Sequence, residues 1–267
     1  MRTYIFKSFL FAALAGLYTS CSSDDDTSAL AGEGQVSVEF DNGVAGDDLI
    51  LHTSAYTNGN DETLTIDRLN YIVSNFTLTD DRGNTYVYPK DDSYFVISEE
   101  SEKTQITLTG IPAGNYVKLQ FGIGVDQEKY LQGAEGQGDF LEEAEQEEMM
   151  WSWQAGYKFL NFEGTFTSAT VTEPTEFKIH MGSHGSSLDN YREVSLDLST
   201  RAMVSEEMSP LIHLSVDADK ILNGSDKMLL SEEPVIMISE EKSPKIAGNA
   251  TEMFSVDHVH NGSGNHH

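Results

Sequence analysis

Apolar and polar residues alternate in short runs along most of this chain, and turn-forming residues separate the runs. Val36-Ser37-Val38-Glu39-Phe40 places two valines and a phenylalanine on one side of an extended segment, because side chains two apart in a strand share a face. Residues 49–56 predict a second strand, followed by an Asn58-Gly59 turn and then Leu64-Thr65-Ile66. Leu69, Tyr71 and Val73 are at odd positions, whereas Phe76 and Leu78 are at even ones. A bulge at Ser74-Asn75 reconciles the two within one long strand. Residues 80–84 turn this segment into a strand over 85–88. Further strands are predicted at 94–97, 105–108, 116–123, 157–166, 176–181, 192–198 and 211–216. Ile111-Pro112-Ala113-Gly114 reads as a tight turn.

Helical periodicity is sparse. Residues 139–150 are acidic and weakly periodic, a short helix or a loop; 217–222 suggest one or two turns capped by Asp217, and 247–254 one more. No period of 20–50 residues recurs, which argues against a solenoid or propeller. The pattern predicts an all-β fold, one antiparallel β-sandwich with loop insertions and a few short helices, spanning residues 35–261. Composition agrees: 39% of residues are hydrophobic and 10% aromatic, enough for a substantial core. Against 44 acidic residues stand 16 basic ones, a formal net charge of −28. That balance argues against nucleic acid as a partner and against adsorption to anionic lipid.

The first twenty residues differ from the rest. Arg2 and Lys7 precede the apolar run from Phe9 to Leu17, the layout of a secretory signal peptide and too short to cross a bilayer. The run ends in Tyr18-Thr19-Ser20-Cys21, which resembles a bacterial lipobox. Cys21 is the single cysteine of the chain, so it has no internal disulfide partner and is the expected acylation (palmitate) site. An ordinary signal peptide with an incidental cysteine is the competing reading. Residues 21–34 read as a flexible acidic tether, with Ser22-Ser23-Asp24-Asp25-Asp26 similar to surface-export signals of some Gram-negative lipoproteins. Residues 262–267 read as a flexible tail. The expectation is a lipoprotein of the outer membrane or cell surface of a Gram-negative bacterium, touching the membrane through its lipid anchor alone.

Two stretches carry unusual chemistry. Both tryptophans, Trp151 and Trp153, fall in the segment from Met149 to Gly164 with two methionines beside them. The indoles are either core filling or part of a soft, electron-rich rim. Among eight histidines, His258-Val259-His260 is the sharpest pattern. In a strand its two imidazoles share a face and can converge on one metal ion, copper or zinc by ligand softness. A third ligand must come from elsewhere. His180 sits on a predicted strand, with His184 in the Gly/Ser loop after it; His52 and His213 are single residues on apolar strands, and His266-His267 end the chain. A histidine on a strand can equally be a hydrogen-bonded structural residue. Gly-x-Ser-x-Gly, HExxH and phosphate-loop motifs are absent from the sequence, and acidic neighbours such as Glu142-Glu143 read as a solvated face. The chain is therefore expected not to be an enzyme. A glycan- or protein-binding adhesion module is the alternative class. Calcium loops at Asp47-Asp48 or Asp80-Asp81 lack EF-hand spacing.

Several segments in order resemble one family. They are residues 69–75, Ile111-Pro112-Ala113-Gly114-Asn115-Tyr116, residues 121–126, Met150-Trp151-Ser152-Trp153 with Gly156-Tyr157 and Glu163-Gly164, Ile179-His180-Met181-Gly182, and residues 253–261. Together they resemble the MbnP-like proteins, exported copper-binding proteins associated with methanobactin gene clusters. The resemblance implies a periplasmic or surface β-sandwich that binds a copper ion through histidines, in copper acquisition or handling. It also implies a tryptophan oxidised to kynurenine by a partner di-haem enzyme related to cytochrome c peroxidases. Carried onto this chain, His180, His258 and His260 become the metal ligands, and Trp151 and Trp153 the candidates for oxidation. His184, after the His-x-Gly element, either adds a ligand or sits in a loop.

Overall fold

The computed structural model describes residues 30–152 and 156–262. The signal segment, Cys21, most of the tether, Trp153 and the final histidine pair lie outside the described residues. In chain order the strands are β1 (Glu33–Val44), β2 (Asp47–Asp48), β3 (Ala55–Thr57), β4 (Thr63–Asp80), β5 (Thr85–Val87), β6 (Tyr94–Ser98), β7 (Gln105–Pro112), β8 (Gly114–Ile123), β9 (Leu160–Thr167), β10 (Thr175–Met181), β11 (Arg192–Val204), β12 (Leu211–Asp217), β13 (Val235–Ile236) and β14 (Phe254–His260). Among the described residues four short α-helices interrupt them, α1 (Gln127–Tyr130), α2 (Phe140–Gln146), α3 (Lys220–Asn223) and α4 (Ser243–Thr251), with single 3-10 turns at Lys90–Asp92 and Ala134–Gly136.

The strands form two sheets, as the all-β sandwich reading requires. One runs β14-β12-β1-β2 with β7 also paired to β1; the other runs β11-β8-β4-β9-β10-β13 with β3, β5 and β6 paired to β4. The sheets are mixed rather than purely antiparallel, since β1 pairs with β12 and β10 with β13 in parallel. Alternation within a strand reports which face is buried but not which strand lies alongside. Residues 49–54 are not a strand: His52 adopts φ 66° in a turn between β2 and β3. Asp219 rather than Asp217 precedes α3.

Strand β4 organises the larger sheet, and its parity explains its shape. Leu64 and Ile66 are buried at even positions, Leu69, Tyr71 and Val73 at odd ones, Phe76 and Leu78 at even ones. Each switch of parity is a bulge. The β4–β9 register shifts between Ile66 and Arg68, and the β4–β8 register between Ser74 and Thr77, where Asn75 takes φ 53°. Between the bulges Asn70, Ile72 and Ser74 are buried as well, so β4 is covered on both faces there. The segment holding α1 and α2 supplies part of the second cover: Asn70 Nδ2 donates to the Glu147 carbonyl at 3.1 Å, and Phe140 packs on Tyr94 with ring centres 5.6 Å apart. No helix among the described residues is long and apolar enough to cross a membrane.

Asp126 ties the Asn75 bulge to α1. Its carboxylate accepts hydrogen bonds from Tyr94 Oη (2.6 Å), Asn75 Nδ2 (2.9 Å) and Lys90 Nζ (2.9 Å), and it caps α1 through the Lys129 amide. Burial opposes ionisation, but these donors outweigh it and hold the group at about 2, below its ordinary 3.8. A depressed carboxylate stabilises the fold above its unfolded pKa, and that contribution disappears as pH falls through the folded value. Asp126→Asn is therefore expected to cost about 2 kcal/mol at pH 7. In urea melts the gap between wild type and variant should close between about pH 4 and pH 2; a gap that stays constant across that range would refute the assignment.

Candidate functional site

Strand β10 carries Phe177, Ile179 and Met181 toward the core, each essentially inaccessible. His180 therefore points to the opposite face, yet only 4% of it is exposed. In register, His180 pairs with Asn161 of β9, and Asn161 with Asn70 of β4. The next row is Lys178, Glu163 and Arg68. A polar band thus crosses three strands on the outer face of the larger sheet. Such a band would normally face water, but the chain leading out of α2 covers it. Arg68 Nη1 reaches Glu148 at 2.6 Å, and Trp151 is 4% exposed with its ring 6.0 Å from that of His180. Gly182 makes room for this closure: a Cβ there would lie 2.3 Å from the Tyr157 carbonyl oxygen and 3.3 Å from Trp151 Cζ2.

The imidazole of His180 is asymmetrically held. Nε2 lies 2.6 Å from Glu163 Oε1, while Nδ1 is buried with no hydrogen-bond partner among the described residues. With the ring proton on Nε2 donated to the carboxylate, Nδ1 keeps a bare lone pair. This is how a carboxylate orients a metal-ligating histidine. The hydrogen bond from His180 is the largest influence on Glu163; together with the charges of His180, Arg68 and Lys158, it outweighs burial and holds the carboxyl below its ordinary range. Burial pushes the Lys158 ammonium down, against the pull of Glu163. Other buried polar atoms in the band also lack partners, namely Asn70 Oδ1, Arg68 Nε and both amide atoms of Asn161. Buried polar groups are nearly always satisfied, and these atoms keep unused hydrogen-bonding capacity on the face beside His180.

His180 opens onto a cleft of about 360 Å³ that is also lined by Glu145, Glu148, Met150, Trp151, Ser152, Lys158 and Met237. An imidazole lone pair beside two thioethers is a soft-to-borderline donor set. Glu145 and Glu148 make the wall a mixed one, and His180, Met150 and Met237 are the members of it whose chemistry suits copper.

The other predicted ligands are elsewhere. His258 and His260 are exposed on β14, in the smaller sheet, and the structure does not bring them to His180 on β10. The three-histidine centre expected from the resemblance is not assembled, because a strand pattern identifies a face but not a sheet. Among the described residues no three His, Cys, Asp or Glu side chains converge on a point that could hold a metal ion. His184 is exposed in the turn after β10, and His52 sits against Asp67 at 3.1 Å on the surface. Trp151 lies beside His180 as the pattern allowed, whereas Trp153 is outside the described residues. Sequence reasoning missed Glu163, Asn161, Asn70 and Lys158. Asn70 and Glu163 fell within the segments that carry the resemblance, but nothing in the sequence marked their side chains.

A family model described as MbnP matches residues 33–238. Among solved structures the chain is similar to MbnP from Methylosinus trichosporium, at 14% identity and a TM-score of 0.47, covering 78% of this chain and 82% of that one. A search of curated proteins returns no match.

Proposed function

Because the chain belongs to the MbnP family, we propose that it is an exported, lipid-anchored copper-binding protein that acts in copper acquisition or handling rather than as an enzyme. The copper ion sits in the cleft beside Trp151, held by Nδ1 of His180 with Met150 and Met237 as the soft residues of the wall. One observation carries this reading: a buried imidazole whose Nε2 is fixed on Glu163 and whose Nδ1 has no partner. Bound there, copper would supply a one-electron redox centre, with a thioether and imidazole environment favouring the reduced state. Glu163 orients the ring, Trp151 shields it from water, and Gly182 allows that shield to close. The long-range field of an acidic chain draws cations in but does not select among them.

Trp151, pressed against the same imidazole, is the residue proposed for oxidation to kynurenine by a di-haem partner enzyme. Cys21 is proposed as the lipid-bearing residue at the outer membrane. Peptide mass spectrometry of protein from its native host tests the oxidation: the kynurenine product shows one carbon lost and one oxygen gained on Trp151. An unmodified Trp151 would remove the oxidised-ligand part of the proposal and leave copper binding to be judged by titration.

The orienting role of Glu163 has its own test. Glu163→Gln can present its amide oxygen to the ring but not a charge, and is expected to weaken Cu(I) binding about tenfold to a hundredfold. The measurement is competition against a chromophoric Cu(I) chelator under reducing conditions. Unchanged affinity would show that Glu163 serves the fold alone.

A further inference from the structure

The His258-Val259-His260 element does not reach His180, but it does meet another histidine. Strand β14 pairs with β12 so that His258 lies opposite His213 and His260 opposite Leu211. The rings of His213 and His258 are stacked, with centres 4.1 Å apart and planes inclined by 15°. Each ring has its own carboxylate on Nδ1: Glu39 Oε2 of β1 lies 2.5 Å from His213, and Asp257 Oδ2 lies 2.8 Å from His258. A bulge makes the second contact, since the register shifts between His213 and Leu214 and leaves Asp257 unpaired on the outer surface. Inward-facing Ile212 and Val259 fix the faces, so all three imidazoles are on the outer side of the smaller sheet.

We propose that this face is a second metal site, for a borderline divalent transition-metal ion such as Zn²⁺ or Cu²⁺, ligated by Nε2 of His213 and Nε2 of His258. The argument is the placement of protons and lone pairs. A carboxylate on Nδ1 of each ring favours the tautomer with hydrogen at Nδ1, which leaves both Nε2 atoms as donors. Among the described residues neither Nε2 has a hydrogen-bond partner. Cross-strand neighbours on one face are the sheet positions closest to each other; as stacked, the two Nε2 lone pairs run side by side, so sharing one ion at nitrogen–metal distances of about 2.0–2.1 Å requires the exposed His258 ring to turn toward His213. Water completes the coordination, and His260 is two residues along the same edge. The site lacks the thioethers and the cover of the Trp151 cleft, so it takes harder, divalent ions and exchanges them with solvent. It is independent of the copper proposal: β14 lies beyond the residues the family model matches.

The test is calorimetric titration of the whole chain with Zn²⁺, in a background of His266→Ala and His267→Ala that removes the terminal imidazoles. One binding event is expected, weakened at least about tenfold in His258→Ala and likewise in His213→Gln, and unchanged in His180→Ala. Absence of a Zn²⁺ event overturns the site, as does an event insensitive to both His213 and His258. Loss in His180→Ala overturns it too, by assigning the ion to the cleft. His258 is exposed on an edge strand, so its variant folds; should His213→Gln melt early, His258→Ala decides the question alone.

Discussion

Phe40→Ala is expected to lower stability by about 3–5 kcal/mol, among the largest losses any single substitution in this chain would cause. Phe40 is fully buried on β1, and its ring makes edge contacts with Tyr71 (6.1 Å), Phe121 (5.9 Å) and Phe254 (6.2 Å). Phe254 in turn meets Tyr71 at 5.7 Å and Phe121 at 5.1 Å. Phe40 and Phe254 belong to the smaller sheet, Tyr71 and Phe121 to the larger one. The four rings therefore fasten the two layers together. Truncation removes the apolar burial and leaves a void that three aromatic neighbours in rigid strands cannot close. At this chain length the melting temperature should fall by about 10 °C or more. Val87→Ala, at a side chain 66% exposed, is the control and should change stability by less than about 0.5 kcal/mol. Comparable small losses for both would mean that the layers are not held at this cluster.

His180→Ala is the second large effect, on binding rather than on the fold. The variant removes the unpartnered imidazole nitrogen beside the cleft, and Cu(I) affinity is expected to fall by more than about a hundredfold, beyond the usual cost of disturbing an outer-shell partner. The double variant His258→Ala, His260→Ala should keep the tight Cu(I) equivalent, because those rings are on the other sheet. The reverse outcome, copper retained without His180 and lost without the C-terminal pair, would move the copper site to β14. Folding is checked separately by chemical melts. Glu163 keeps Arg68 within 4.0 Å when the imidazole is gone, so its charge is not stranded.

Parity alone made most of the strands and one bulge legible, though not β13 or β14, and it placed a strand over 49–54 where the chain turns. Leu69, Tyr71 and Val73 against Phe76 and Leu78 required a kink at Asn75, and Asn75 takes the left-handed conformation. The same switch between Ile66 and Leu69 held a second bulge in plain view. Pairing was not legible, because nothing in Val36–Phe40 specifies a parallel neighbour 170 or so residues away. The site was half legible for the same reason. His180 and Trp151 stood out by residue type, and they meet because the chain between α2 and β9 folds back over the outer face of β9 and β10. Glu163 and Asn161 are ordinary outward-facing strand residues until a cover from α2 turns that face into an interior. His213 looked solitary because its partner comes from a strand that pairs with it only in the folded sheet.

The parallel contact of β1 with β12, and the antiparallel one of β12 with β14, also set the order in which the domain can be built. The first strand of the smaller sheet has no complete set of neighbours until β12 exists, and β12 has none until β14 does. Pairings this distant along the chain make for slow folding, on the millisecond-to-second scale or longer, and leave apolar edges uncovered meanwhile. A nascent chain halted after residue 238 would lack β14 altogether and present β12 as an open edge. Such a chain invites intermolecular strand addition; β14 covers that edge and puts in its place one bearing the exposed polar side chains of Ser255, Asp257, His258 and His260.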